Sequence, residues 1–117
     1  MARVLVVDDD PSFLTLASRM VVDAGMTVAA TAATAAAGLA AARDLEPDAV
    51  LVDVGLPDRD GIDLARELAT QPWGPRIVLC STDRDAVSGV DGDSLPPFVP
   101  KEDLPGAPLR SLLAGEH

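Results

Sequence analysis

The sequence has few aromatic residues, a single cysteine and no long apolar run. Its 117 residues include two Phe, one Trp and no Tyr, so aliphatic side chains and alanine must fill the core. Cys80 cannot form an internal disulfide, and its apolar neighbours predict a small buried core residue. No apolar run approaches the roughly 20 residues that span a bilayer, and no signal peptide is evident. We expect a cytoplasmic chain that forms one domain over residues 1–117.

Basic residues are also scarce. The nine Lys and Arg residues stand against 19 Asp and Glu residues, which gives a formal net charge of −10 at pH 7. This charge opposes the phosphate backbone of nucleic acids and the surface of anionic membranes, and no basic cluster offsets it. We therefore expect neither direct nucleic-acid binding nor membrane binding. Lys101 is the only lysine in the sequence.

Short apolar runs alternate along the chain with segments of helical spacing. The runs predict buried strands at residues 4–7, 26–30, 49–52, 77–80 and, more weakly, 98–99. The spacing predicts helices at residues 11–24, 34–45 and 60–70. Asp10 precedes Pro11 and is predicted to cap the first helix. Strands separated by helices favour parallel pairing, so the expected fold class is α/β, with helices on both faces of one sheet.

The last third of the sequence departs from this pattern. Residues 83–97, where a fourth helix belongs, are rich in Gly, Pro and Asp, and only residues 85–90 offer a helix nucleus. An isolated turn of that length is marginally stable. Pro105 and Pro108 restrict a fifth helix to about residues 109–114. We therefore predict a short or irregular fourth helix.

Acidic residues follow two of the predicted strands. Asp8 and Asp9 come directly after the first strand, and Asp53 ends the third. The carboxyl ends of parallel strands meet at one edge of the sheet, so these acids should cluster there, where they would repel one another without a cation. Oxygen ligands of this kind suit Mg²⁺ or Mn²⁺. The alternative for Asp8 and Asp9 is a capping role like that of Asp10.

Two further residues follow strands at the same edge. Ser81 follows the fourth strand and Lys101 follows the fifth, so a hydroxyl and an ammonium are expected beside the acids. A lysine carries a compact, mobile charge that can follow a phosphoryl oxygen. The alternative is a lysine on a solvated loop.

As a set, these residues resemble the receiver domains of two-component response regulators. The resemblance covers nearly the whole chain through the segments VLVVDDD, LVDVGLPDRDG, IVLCST and FVPKEDL. It implies a flavodoxin-like (βα)5 fold, a doubly wound parallel sheet with strand order 2-1-3-4-5. It also implies that the chain accepts a phosphoryl group from a sensor histidine kinase or phosphotransfer protein and signals to a downstream protein. Such a domain assists its own phosphorylation but is not an enzyme.

The resemblance assigns a role to each site residue. Asp53 is similar to the phosphorylated aspartate, and Asp8 and Asp9 to the acidic pair that organises Mg²⁺. The remaining assignments are the Gly55 carbonyl as a metal ligand, Ser81 and Lys101 as contacts of the phosphoryl group, and Phe98 as the aromatic switch residue. Gly55 and Asp83 lie two residues beyond the acceptor and the hydroxyl, and we expect them to tune the phosphoryl lifetime.

Several alternatives compete with this interpretation. A pseudo-receiver would use the same fold without phosphorylation. An aspartate-nucleophile phosphatase would use Asp8 as nucleophile and Asp10 as acid, but that family needs an acidic motif after its lysine and usually a longer chain. A DNA-binding regulator would require a basic effector domain. One departure from receivers is also present: Glu102 stands where many of them carry proline after the lysine, which leaves the isomer of the Lys101–Glu102 peptide open.

Overall fold

The computed structural model describes residues 2–90 and 95–115. Five strands form one parallel sheet in the order β2-β1-β3-β4-β5. The strands are β1 Arg3–Val7, β2 Thr27–Ala32, β3 Ala49–Asp53, β4 Arg76–Ser81 and β5 Phe98–Pro100. The predicted fold class and strand order are thus confirmed, and β2 lies slightly later in the chain than its apolar run indicates.

Three α-helices follow the first three strands: α1 Pro11–Asp23, α2 Ala35–Leu45 and α3 Gly61–Ala69. A side chain caps the N-terminus of each helix, because the free amides of the first turn need acceptors. Asp10 accepts from the Ser12 amide at 3.0 Å, as predicted. Thr34 and Asp60 cap α2 and α3 in the same way. The predicted helices at residues 34–45 and 60–70 therefore begin one residue later than expected.

The chain after β4 contains little regular helix. Residues 84–89 form successive turns, and residues 91–94 of the segment that we predicted to be irregular lie outside the described residues. After β5 the chain forms a 3-10 helix, Lys101–Gly106, and then a single π-helical stretch, Arg110–Ala114. The fifth helix is thus as short as predicted but has π rather than α geometry. All peptide bonds in the described parts of the chain are trans, including Lys101–Glu102.

The two faces of the sheet carry separate clusters of buried side chains. On one face, Leu5 and Val7 pack with α2 and α3. On the other, Val6 and Cys80 pack with α1 and with the segment after β5. Cys80 is a fully buried free thiol, which confirms the predicted core position. Across the described residues, every helix is too short or too polar to cross a membrane.

Candidate functional site

The two strand-end carboxylates predicted to cluster lie together in the structure. Asp8 follows β1 and is fully buried, and Asp53 ends β3 with 6% exposure. The Asp8 amide donates to the Ala32 carbonyl at 2.9 Å, while its Oδ1 accepts from the Asp10 amide at 2.8 Å. These bonds fix Asp8 between β2 and the start of α1, so its second oxygen, Oδ2, is held at the site.

Lys101 joins the two carboxylates. Its Nζ lies 2.6 Å from Asp8 Oδ2 and 3.5 Å from Asp53 Oδ1, and its side chain is only 13% exposed. Nζ also lies 4.2 Å from the centroid of the Phe13 ring. The lysine is therefore part of the acidic cluster, not a residue of a solvated loop. One ammonium offsets one of the two carboxylate charges, which leaves the site able to attract a further cation.

Burial and neighbouring charges shift the titration of both partners. Burial raises the pKa of Asp53 and the charge on Asp8 raises it further; Lys101 and the Gly55 amide lower it, with a net increase. Burial alone lowers the pKa of Lys101, but its hydrogen bond to Asp8 and the charges of Asp53 and Asp8 outweigh burial and raise it overall. Lys101 thus stays protonated, whereas burial and the charge on Asp8 disfavour the carboxylate form of Asp53. A bound cation would stabilise that carboxylate.

The donor atoms at this edge fit a hard divalent ion. Carboxylate oxygens of Asp8 and Asp53 and the sulfur of Cys80 lie within 4.8 Å of one another. Burial, and then the charge on Asp53, raises the pKa of the Cys80 thiol well above its ordinary value, so the sulfur stays protonated and is a poor ligand. The usable ligands are therefore oxygens, as Mg²⁺ and Mn²⁺ require. Asp9 is exposed beside this group and does not join it, and its role as a ligand stays a prediction.

Ser81 lies at the end of β4, on the strand next to Asp53. It is 8% exposed, and its Oγ accepts a hydrogen bond from the Asp83 amide at 3.1 Å. Because the oxygen acts as acceptor, its proton can be donated elsewhere. Asp83 itself is exposed, and its carboxylate accepts from the Asp85 amide at 2.9 Å. Phe98 is half-buried at the start of β5, paired in register with Leu79.

The loop after Asp53 is held by two contacts that the sequence analysis missed. The carboxylate of Asp58 accepts from the Ala35 and Ala36 amides at 2.8 and 3.0 Å, and so caps α2 from a distant loop. Gly61 packs so tightly that a Cβ atom there would lie 2.0 Å from the carbonyl oxygen of Asp53. The D-x-D-G pattern of this loop signals capping, but it does not reveal that its first aspartate caps a different helix.

Arg84 links the segments that follow Ser81 and Lys101. Its guanidinium contacts the carboxylates of Glu102 and Asp103, with Nη2 3.0 Å from Asp103 Oδ2. The residue that replaces the usual proline after the lysine, Glu102, is therefore one end of an ion pair. Phe13 and Arg84 are functional candidates that the sequence analysis did not identify, because their partners lie far along the chain.

This arrangement matches a known protein family. The sequence model of one family, described as the response regulator receiver domain, matches residues 4–92, from β1 to the segment after β4. The chain belongs to the response regulator receiver domain family. The match ends before Phe98 and Lys101. The position of these two residues is therefore known from the structure of this receiver and not from the family match.

Curated relatives agree with the assignment. The DNA-binding response regulator MtrA of Mycolicibacterium smegmatis is 38% identical over 107 residues, which are 86% of this chain and 46% of the relative. A protein-glutamate methylesterase/protein-glutamine glutaminase of Halobacterium salinarum is 30% identical over 98% of this chain and 33% of its own length. The receiver thus spans about half the length of the first relative and about a third of the second.

Solved structures show the same fold. The chemotaxis protein CheY4 of Vibrio cholerae superposes with a TM-score of 0.76 at 26% identity, covering 97% of this chain and 99% of that one. The receiver domain of the Erythrobacter litoralis response regulator PhyR superposes with a TM-score of 0.81 at 22% identity, covering 95% and 89% of the two chains. At 22% identity the likeness to PhyR concerns the fold alone.

Proposed function

We propose that this receiver accepts a phosphoryl group on Asp53 from a phosphohistidine of a sensor kinase or phosphotransfer protein. The observation that carries the proposal is the buried contact of the Lys101 ammonium with both Asp8 and Asp53. A buried ammonium at a strand-end carboxylate supplies the positive charge that a transferring phosphoryl group needs. We further propose that residues 1–117 act as one signalling domain in the cytoplasm, contact a downstream protein, bind no nucleic acid directly and do not turn over a substrate.

The residues divide the chemistry among them. A carboxylate oxygen of Asp53 forms a bond to phosphorus as the bond from phosphorus to the histidine nitrogen breaks, and the leaving imidazole keeps the electron pair. Lys101 and the Ser81 hydroxyl donate to the phosphoryl oxygens. Asp8, Asp9, Asp53 and the Gly55 carbonyl would hold Mg²⁺ or Mn²⁺, and the ion would supply positive charge for the phosphoryl oxygens. Phe98 would turn toward Ser81 when that hydroxyl is drawn inward.

The decisive experiment is intact-mass spectrometry after incubation with Mg²⁺ and acetyl phosphate. The native chain should gain one phosphoryl group, and Asp53→Asn should gain none while remaining folded. Asp63→Asn makes the same chemical change at an exposed position and should be labelled like the native chain. Full labelling of Asp53→Asn would show that another residue is the acceptor.

Two alternatives give different outcomes in the same experiment. A pseudo-receiver would show no adduct at all. The observation in its favour is that Lys101 pairs with Asp8 and Asp53, so the ammonium partly neutralises the acidic cluster without a metal ion. A phosphatase with Asp8 as nucleophile would still form a phosphoryl adduct in Asp53→Asn. Asp8 is fully buried and ion-paired, and Asp10 caps α1, which argues against that use of either residue.

A further inference from the structure

We propose that Phe13 is a positioning residue for phosphoryl transfer, because the face of its ring holds the Lys101 ammonium at the site. This inference rests on the proposed function. Nζ of Lys101 lies 4.2 Å from the ring centroid, inside the range of about 6 Å in which a cation is attracted to an aromatic face. The contact joins α1 to the segment after β5.

The ring completes the surroundings of the ammonium. An ammonium has three donors, and here one faces Asp8 Oδ2 at 2.6 Å while another faces Asp53 Oδ1 at 3.5 Å. The lysine side chain is only 13% exposed, so little water reaches the ammonium, and the Phe13 ring is a further neighbour at 4.2 Å from its centroid. A cation–π contact is stronger when it is shielded from water in this way.

The position of the ring is itself fixed. Phe13 is 7% exposed and belongs to the buried cluster that α1 forms with the sheet. It lies in the first turn of α1, directly after the residues that begin the helix, where Asp10 caps the Ser12 amide. The same short stretch of chain therefore anchors Asp8, through the Asp10 amide, and the ring beneath Lys101.

A ring face supports the ammonium without competing with the phosphoryl group. When a metal ion engages Asp8 or a phosphoryl group forms on Asp53, the lysine must exchange one anionic partner for another. The ring carries no net charge, so the ammonium can shift along it while staying at the site. Phe13→Leu keeps an apolar side chain and removes the ring face, and we expect it to slow labelling by acetyl phosphate about fivefold.

The single lysine makes the contact directly observable. Lysine labelled with ¹³C gives one ε-methylene signal, that of Lys101, and the ring current of Phe13 should shift it upfield in the native protein. Phe13→Leu should abolish that shift, whereas Val21→Ala, which removes packing elsewhere on α1, should leave it in place. An unshifted native signal would overturn the inference. This readout requires no phosphorylation, so it holds even if the proposed function fails.

A double-mutant cycle tests whether Phe13 acts through the lysine. Phe13→Leu should slow labelling in the native background and have no further effect in Lys101→Met. Equal slowing in both backgrounds would mean that Phe13 only supports packing. Should Phe13→Leu fold poorly, fluorinated phenylalanines placed at position 13 weaken the ring face at nearly constant shape. The labelling rate should then fall stepwise with fluorination, and a flat series would overturn the inference.

Discussion

Arg84 and Asp103 connect the segments that follow β4 and β5, with 3.0 Å between Arg84 Nη2 and Asp103 Oδ2. Ser81 is the last residue of β4 and Lys101 is the first residue after β5, and both are proposed to contact the phosphoryl group. Hydrogen bonds from the Asp83 amide to Ser81 Oγ and from the Asp85 amide to Asp83 place Arg84 within this folded loop. We therefore expect a displacement of Ser81 to shift the 3-10 helix Lys101–Gly106 as well.

Arg84→Ala should loosen that connection without unfolding the protein. The side chains of Arg84, Glu102 and Asp103 are each about half exposed or more, and exposed ion pairs contribute little to stability. We expect faster amide hydrogen exchange across residues 101–106 in the unmodified protein, with the thermal midpoint nearly unchanged. Arg43→Ala breaks a comparable surface pair with Glu67 and serves as the control. Unchanged exchange in Arg84→Ala would mean that the two segments are held together by other contacts.

Asp9→Asn should weaken Mg²⁺ binding and leave the acceptor intact. Removing a carboxylate charge lowers the affinity of an oxygen site for a divalent ion. A Mg²⁺ titration should therefore need a higher concentration to saturate, while labelling at saturating Mg²⁺ still produces one adduct. Asp63→Asn is again the matched control. Equal affinity in Asp9→Asn and the native protein would remove Asp9 from the proposed ligands.

Gly55→Asn and Asp83→Ala should change the rate of dephosphorylation more than the rate of phosphorylation. Both positions flank the expected path of a water that attacks the acyl phosphate, and neither is proposed to contact the phosphoryl donor. Time courses of adduct gain with acetyl phosphate, and of adduct loss after its removal, measure the two rates separately. Equal effects on both rates would contradict a lifetime role for these residues.

The cap that Asp58 places on α2 should make stability depend on acid. Hydrogen bonds from the Ala35 and Ala36 amides lower the pKa of Asp58 below its ordinary value of 3.8. A lowered pKa in the folded state stabilises the protein above the unfolded pKa, and this contribution is lost as the pH falls through the folded pKa. Asp58→Ala should therefore have a lower free energy of unfolding than the native chain at pH 7. The difference between the two free energies should shrink below pH 3.8.

Denaturant unfolding at a series of pH values measures that difference. Asp44→Ala removes an exposed carboxylate near the other end of α2, where the helix amides already have intrahelical acceptors. It should not reproduce the pH dependence. A constant difference between Asp58→Ala and the native chain from neutral to acidic pH would show that the carboxylate charge is not what stabilises the cap.

The segment from residue 83 to residue 98 should become protected when Asp53 carries a phosphoryl group. Its described part, residues 83–90 and 95–98, contains turns and irregular chain, and only Phe98 belongs to a strand, so it opens at low cost. A phosphoryl group adds about −1.5 to −2 charges, which should draw Ser81 and Lys101 inward and bring Phe98 toward Ser81. Hydrogen exchange with and without Mg²⁺ and beryllofluoride tests this. No change at full occupancy would place the output on another surface.

Local patterns in the sequence predicted most of the fold. Strand ends, the Asp10 cap and the short fifth helix depend on residues close together in the chain, and each was placed to within about two residues. Parallel topology then brought Asp8, Asp53, Ser81 and Lys101 to one edge. Contacts between distant residues were not predictable in this way. Asp58 caps a helix 23 residues upstream, and Lys101 lies over a ring from α1.

The close packing of Gly61 against the Asp53 carbonyl has a mechanical consequence for the proposed acceptor. The Gly61 amide donates to the Val54 carbonyl at 2.8 Å, so the first turn of α3 packs directly against the backbone of Asp53 and Val54. Even a methyl group at position 61 would clash with this backbone and force the first turn of α3 away from β3 beside the proposed acceptor. Glycine is therefore the residue that this packing requires, and a partner that tilts α3 would move the proposed acceptor with it.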